Sequence, residues 1–139
     1  MRRKAKDTSG YPIRAVLMPV IPVRNWEETY ADFLGRLLVN IPIRRLTLGG
    51  ICIYKGARWL MEQKLGRENE ISRHIDEGST AGDGRMRYSP RLRIKMYAHM
   101  IRMAREIRPD IELALCLEEA HVWEAVGLEE NVGQCNCVL

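Results

Sequence analysis

An α/β fold built on a parallel sheet is the class this sequence predicts, and three observations predict it. Apolar strand-like runs alternate with amphipathic helical stretches along the chain. One of those runs, Arg44-Arg45-Leu46-Thr47-Leu48-Gly49-Gly50-Ile51-Cys52-Ile53-Tyr54, is apolar without strict alternation, as expected of a strand covered on both faces. A long amphipathic helix from Pro90 to Arg108 then precedes a further apolar run.

Residues 1 to 9 read as the last turns of a helix, stopped by Gly10 and followed by the extended pair Tyr11-Pro12. The first strand is Ile13 to Met18, after which Pro19 and Pro22 exclude helix or ladder pairing. Asn25 with Glu28 has the spacing of a capping box. The helix it opens places Trp26, Tyr30, Phe33, Leu34, Leu37 and Leu38 on one stripe, and Pro42 follows its end.

Leu46, Leu48, Ile51 and Ile53 read as one buried strand. Gly49 and Gly50 lack side chains where that strand should end, so a bulge can turn the chain there or a ligand can approach the backbone. The next helix, Lys55 to Leu65, sets Ala57, Leu60, Met61 and Leu65 on one face before Gly66 closes it. Residues 67 to 84 form a long polar loop, of a length often found at functional sites. Asp83-Gly84 turns a short hairpin whose arm is Arg85-Met86-Arg87-Tyr88.

Ser89 followed by Pro90 is a helix start signal. Leu92, Met96, Met100, Met103, Ala104 and Ile107 line one face of that helix, with Tyr97 and Ile101 beside it, and the methionines read as adaptable core fillers. Ile111 to Leu117 is the third strand and Glu118 to Val126 a short helix. The domain is thus residues 1 to 127, with 128 to 139 as a tail. Three strands leave both sheet edges needing cover, so the chain reads as part of a barrel or of a larger sheet.

Composition sets limits. The 139 residues suffice for one domain with a core. No apolar run reaches the roughly 20 residues of a membrane span, and no signal peptide follows the basic start, so no membrane partner and a cytoplasmic address are expected. Net charge is +4, unevenly placed: eight cations against Glu106 alone between Arg85 and Arg108, then seven carboxylates and no Lys or Arg from Pro109 to Glu130. Such polarity either steers a polyanion to one face or marks two solvated helices.

Cys52 and Cys116 lie in apolar runs and read as small buried hydrophobes. Cys135 and Cys137 are too closely spaced for the usual zinc pair and are left without a role. His74, His99 and His121 are scattered, so neither a metal site nor a catalytic set is assigned. Glu118 and Glu119, at the end of the third strand, sit where ligands gather in parallel sheets, and equally where carboxylates favour a helix start. Arg85, Arg87 and Tyr88 are the candidate nucleic-acid contacts, the arginines on phosphates and the tyrosine stacked on a base.

Four segments, in order, resemble the C-terminal part of the spore photoproduct lyase family of radical S-adenosylmethionine enzymes. They are Gly10-Tyr11-Pro12 with Met18-Pro19-Val20-Ile21-Pro22 and Asn25-Trp26-Glu27; Leu46-Thr47-Leu48-Gly49; Asp83-Gly84-Arg85-Met86-Arg87-Tyr88; and Leu115-Cys116-Leu117-Glu118 with Val122-Trp123. The resemblance spans Gly10 to Gly127 and about the last third to half of the family's domain. It implies the last three strand-helix units of a partial TIM-like (β/α) barrel with an inserted hairpin. It also implies a [4Fe-4S] cluster and S-adenosylmethionine as cofactors, and repair of UV-induced thymine dimers in DNA as the activity.

Leu48 and Gly49 would lie along the adenosine of the cofactor, and the segment holding Arg87 and Tyr88 at the DNA lesion. The family's CxxxCxxC motif is absent here. The expectation is therefore a truncated or split form, inactive alone; in the split case another chain supplies the N-terminal half of the barrel. A stand-alone nucleic-acid-binding module without catalysis is the alternative, and a non-functional remnant the third reading.

Overall fold

The computed structural model describes residues 10 to 75 and 80 to 135. The helix expected before Gly10, and Cys137, lie outside them. Three parallel strands form the main sheet: β1 (Ile13–Leu17), β2 (Ile43–Leu48) and the strand Glu112–Leu115, in that spatial order. The first crossover carries α1 (Trp26–Asn40). The second is longer and holds β3 (Cys52–Ile53), α2 (Lys55–Leu65), α3 (Glu70–Ile75), β4 (Met86–Arg87) and α4 (Pro90–Ile107), after which Glu112–Leu115 is β5. A short α5 (Ala120–Ala125) and a 3-10 turn, Glu129–Asn131, follow.

Register decides which side chains meet. Ala15, Leu46 and Leu113 share one row, and Leu17, Leu48 and Leu115 the next on the same face. These rows join Leu34 and Leu38 of α1, Met96, Met100 and Ala104 of α4, and Val122 and Trp123 of α5 in one core. The opposite face carries Arg14, Arg45 and Glu112 in one row and Val16, Thr47 and Ala114 in another. Val16 is 56% exposed there, while Thr47 and Ala114 are buried. The three strands do not close into a barrel.

Several expectations are corrected in detail. The glycine run is not one strand: β2 ends at Leu48, the glycines turn the chain, and Cys52 and Ile53 pair antiparallel with Arg87 and Met86 in a separate two-stranded sheet. Composition cannot distinguish one long apolar strand from two short ones joined at a glycine pair. Asn25 does not cap α1 through its side chain. It adopts a left-handed φ of 58°, a conformation asparagine tolerates better than most residues.

The polar loop contains α3, opened by Asn69, whose Oδ1 accepts from the Ile71 and Ser72 N–H groups. No residue of α2 is buried, and Leu60 and Leu65 of its expected core face are 63% and 64% exposed. That helix is attached to the small sheet through Arg58, which pairs with Glu62 at 2.7 Å and reaches the Met86 sulfur.

Other elements follow the expected local chemistry. Ser89 Oγ accepts from the Leu92 N–H at 3.2 Å with Pro90 at the first turn of α4. The Asp83-Gly84 turn is closed by the Ala81 N–H to the Arg85 carbonyl at 2.6 Å, with Gly84 at φ 82°. Leu128, in the expected tail, is buried. Asn131 Nδ2 donates to the Leu113 carbonyl, which points away from β2 because the neighbouring odd-even alternation sends Cys116 N–H to Leu48 O. The outer edge of β5 is thereby partly covered. Among the described residues no helix is long and apolar enough to cross a membrane.

Candidate functional site

The C-terminal ends of β1, β2 and β5 meet Gly49, Gly50, Glu118, Glu119 and the β4 segment. In open α/β sheets this end is where ligands bind, because loops there are freed from ladder pairing. The β5 chain reaches it through Leu117, a non-glycine residue at φ 54°. This left-handed turn comes directly after Cys116, whose N–H still bonds the Leu48 carbonyl at 2.8 Å, and directly before the Glu118 side chain enters the interior.

Glu118 is the hub. Its side chain is 2% exposed, and its Oε2 lies 2.5 Å from Arg93 Nη1, itself fully buried. Tyr97, one turn further along α4, donates its hydroxyl to Glu118 Oε1 at 2.7 Å. Arg93 Nη2 bonds Glu119 Oε2 at 3.1 Å, and Arg87 Nη1 lies 3.9 Å from Glu118 Oε2. Two guanidinium groups and two carboxylates therefore balance in charge around one point.

The electrostatics follow the burial. Desolvation raises the Glu118 pKa, opposed by the Tyr97 hydrogen bond and by Arg93 and Arg87. The Arg93 hydrogen bond lowers the pKa of Glu119. Burial, reinforced by Glu118, pushes the Tyr97 phenol far above its ordinary value, so it is a permanent donor to the carboxylate.

Gly50 makes the assembly possible. A Cβ there would lie 3.1 Å from the Tyr97 hydroxyl and 3.6 Å from the Tyr88 ring. With no side chain at Gly50, Tyr97, Tyr88 and Arg93 converge on the end of β2 without having to give way.

Leu48 and Gly49, the residues the resemblance sets beside adenosine, are satisfied within the fold. The Gly49 N–H donates to the Leu17 carbonyl at 3.1 Å, and its carbonyl accepts from the Val20 N–H at 2.8 Å. A Cβ on Gly49 would meet the Met18 sulfur at 2.8 Å. Leu48 is fully buried.

Arg87 and Tyr88 are brought together with Arg93 and Glu118, not presented at a surface: Arg87 is 9% and Tyr88 0% exposed. Arg87 Nε and Nη1, Arg93 Nε and the Tyr88 hydroxyl are buried without a hydrogen-bond partner. Arg85 stands apart at the turn, with its Nε on Asp83 Oδ2 at 2.5 Å and its guanidinium over the Tyr54 ring.

Arg93 and Tyr97 are the site residues that sequence reasoning missed. Arg93 was counted among the cations of the α4 segment, yet its spacing to Tyr97, Met100 and Ala104 is that of the buried stripe. A cation on such a stripe signals a buried acidic partner.

Among the described residues no group of three or more His, Cys, Asp or Glu side chains could hold a metal ion, and Cys52, Cys116 and Cys135 are half-buried and outside any disulfide. No family model, no curated protein and no solved structure matches this chain. What the structure establishes is a mixed α/β protein with a small three-stranded parallel sheet.

Proposed function

We propose that this chain forms the last strand-helix units of a spore photoproduct lyase-like barrel, binding DNA at the C-terminal end of its sheet. The reading rests on the resemblance of its four ordered segments. The supporting observation is that three of those segments, Leu46 to Gly49, Asp83 to Tyr88 and Leu115 to Glu118, converge at one end of a parallel sheet although they are distant in sequence.

In this reading Leu48 and Gly49 form the floor beneath the S-adenosylmethionine adenosine. Their backbone groups are already paired, so they offer shape and not hydrogen bonds there. The [4Fe-4S] cluster does not fit this chain's cysteines, because Cys52, Cys116 and Cys135 do not gather. Its ligands belong to a partner segment that completes the barrel by pairing with the β1 edge of the sheet, and a cytoplasmic setting is part of the proposal. S-Adenosylmethionine mixed with the chain under reducing conditions stays intact; its cleavage by the chain alone would overturn this division of labour.

Arg87 and Tyr88 hold the β4 segment inward in this arrangement, and Arg85 is the hairpin cation nearest the surface. The deciding experiment compares a fluorescent duplex carrying spore photoproduct with the same intact duplex, by anisotropy. Tighter binding of the damaged duplex is expected. Equal affinity for both removes the lyase-like reading and leaves a nucleic-acid-binding module without catalysis, which the exposed cations of α4 favour.

A further inference from the structure

We propose that the exposed cationic ridge of α4, formed by Arg91, Lys95, Arg102 and Arg105, docks the phosphate backbone of a nucleic-acid duplex. The inference rests on the nucleic-acid part of the reading above and moves the main contacts away from Arg87 and Tyr88. All four ridge residues are exposed, as is Ala98 between them. At 100° per residue, positions 91, 95, 98, 102 and 105 fall within a band of about 80° on the helix. Arg93, Met96, Tyr97, Met100, Ile101 and Ala104, the buried residues, occupy the other side.

Burial and pairing separate the ridge from the other cations of the same segment. Arg87 and Arg93 are committed to Glu118, and Arg85 to Asp83. Lys95 is shared, 3.3 Å from Glu27 and over the Trp26 ring. Among the described residues, Arg91, Arg102 and Arg105 make no ion pair with a carboxylate. Arg102 Nη2 lies 3.3 Å from His99 Nδ1. Three exposed guanidinium groups share one helix face with Glu106 as the nearby carboxylate on α4, and their mutual repulsion is relieved by a polyanion laid along them.

The dimensions suit a duplex. From position 91 to 105 a helix rises about 21 Å, which matches roughly six phosphate steps of about 3.4 Å along one strand. Arginine forks grip phosphate oxygens in pairs. The small Ala98 at the middle of the ridge lets a groove edge come close. The ridge begins at Arg91, beside Arg93 and Glu118, so a duplex lying along α4 has one end at the C-terminal end of the sheet.

The test measures anisotropy of a labelled 20-base-pair duplex, intact and spore-photoproduct-containing, between 50 and 200 mM salt. It compares wild type, R91Q/R102Q/R105Q, and a control losing the same charge from exposed positions elsewhere, R36Q/K64Q/R67Q. The ridge variant is expected to lose at least 10-fold in affinity at 50 mM salt. Its slope of log affinity on log salt falls in magnitude by about 2.7, since each phosphate contact contributes about 0.9.

The control is expected to keep the wild-type slope. A ridge variant that binds like wild type, a control that loses as much, or a wild type that binds neither duplex each overturns the ridge. Lesion preference is read separately from the same titrations. Its absence with an intact ridge effect removes the lyase-like reading only, and its presence with no ridge effect removes the ridge only.

Discussion

Arg93 Nη1 and Glu118 Oε2 lie 2.5 Å apart, with both side chains essentially sealed from solvent and 25 positions separating them in the chain. The pair joins the first turn of α4 to the loop after β5, so it fixes how the longest helix sits over the end of the sheet. Burying two such charges costs several kcal/mol per ion, and the cost is met only where geometry and further hydrogen bonds are good. Here Tyr97 and Glu119 supply those bonds.

Replacing Arg93 with methionine is expected to destabilise the protein by about 3–5 kcal/mol at pH 7, because buried Glu118 loses its nearest cation and is left with the Tyr97 hydroxyl and the more distant Arg87, 3.9 Å away. The pH dependence follows from the sign of the shift. Burial raises the Glu118 pKa even with Arg93 present, and loss of the cation raises it further. A carboxyl with a raised folded-state pKa contributes stability below its unfolded value that is lost as pH rises through the folded one. R93M should therefore approach wild type as pH falls from 8 towards 5, and R93M/E118Q should recover part of the loss at pH 7. Urea melts across that range measure both.

Tyr88 is fully buried with a hydroxyl that has no hydrogen-bond partner among the described residues, and burial drives its pKa far upward. A buried unpaired hydroxyl costs about 1–3 kcal/mol. Tyr88→Phe keeps the ring and its edge contact with His74 while removing that hydroxyl. The variant is expected to be at least as stable as wild type, by up to about 1 kcal/mol, which thermal denaturation will show. A clear loss would mean that the hydroxyl is hydrogen-bonded in solution.

The fold was legible where its determinants are local. Ser89 and Pro90 announce α4, the strand cores at Ile13, Leu46 and Leu113 are short apolar runs, and Pro42 and Pro109 bracket their approaches. The site was legible only in outline. Gly50 reads as a strand-end glycine, but the reason for it is the Tyr97 hydroxyl and Tyr88 ring, which arrive from another element. Glu118 reads equally as helix-start charge or as ligand-end carboxylate until Arg93 is seen beneath it. Asn25 looked like a cap from its spacing to Glu28, whereas φ is set by the turn that brings Val23 O to Trp26 N–H. Such features depend on which segments meet, and composition along one segment does not record that.

Leu117 carries a left-handed φ of 54° with its side chain 46% exposed. For an L-residue other than glycine or asparagine this conformation costs roughly 1–2 kcal/mol. Glycine removes that strain but gains freedom in the unfolded chain, which offsets up to about 1 kcal/mol. Leu117→Gly is expected to change stability by less than about 1 kcal/mol, and Leu117→Asn to stabilise slightly. A loss well beyond 1 kcal/mol in either variant, by urea denaturation, would show that the Leu117 side chain packs against something that matters.

Alanine at either of the two adjacent glycines meets a different neighbour. At Gly49 the new methyl meets the Met18 sulfur at 2.8 Å and its Cγ at 2.9 Å, so the methionine must shift near its root and not only at its flexible end. At Gly50 the contact is looser, 3.1 Å, yet the atom met is the Tyr97 hydroxyl, anchored on Glu118 in a sealed interior. Moving that hydroxyl weakens its bond to the carboxylate and disturbs the Arg93 pair as well. Gly50→Ala and Gly49→Ala are each expected to cost about 1–3 kcal/mol, as overpacking of a filled interior does, the first through the Tyr97 hydroxyl and the second through Met18. Combining Gly50→Ala with Tyr97→Phe separates steric from electrostatic loss. If the hydroxyl contact is the cause, the double variant is less destabilised than the sum of the singles, and strict additivity in denaturation midpoints would show that Gly50 matters for another reason.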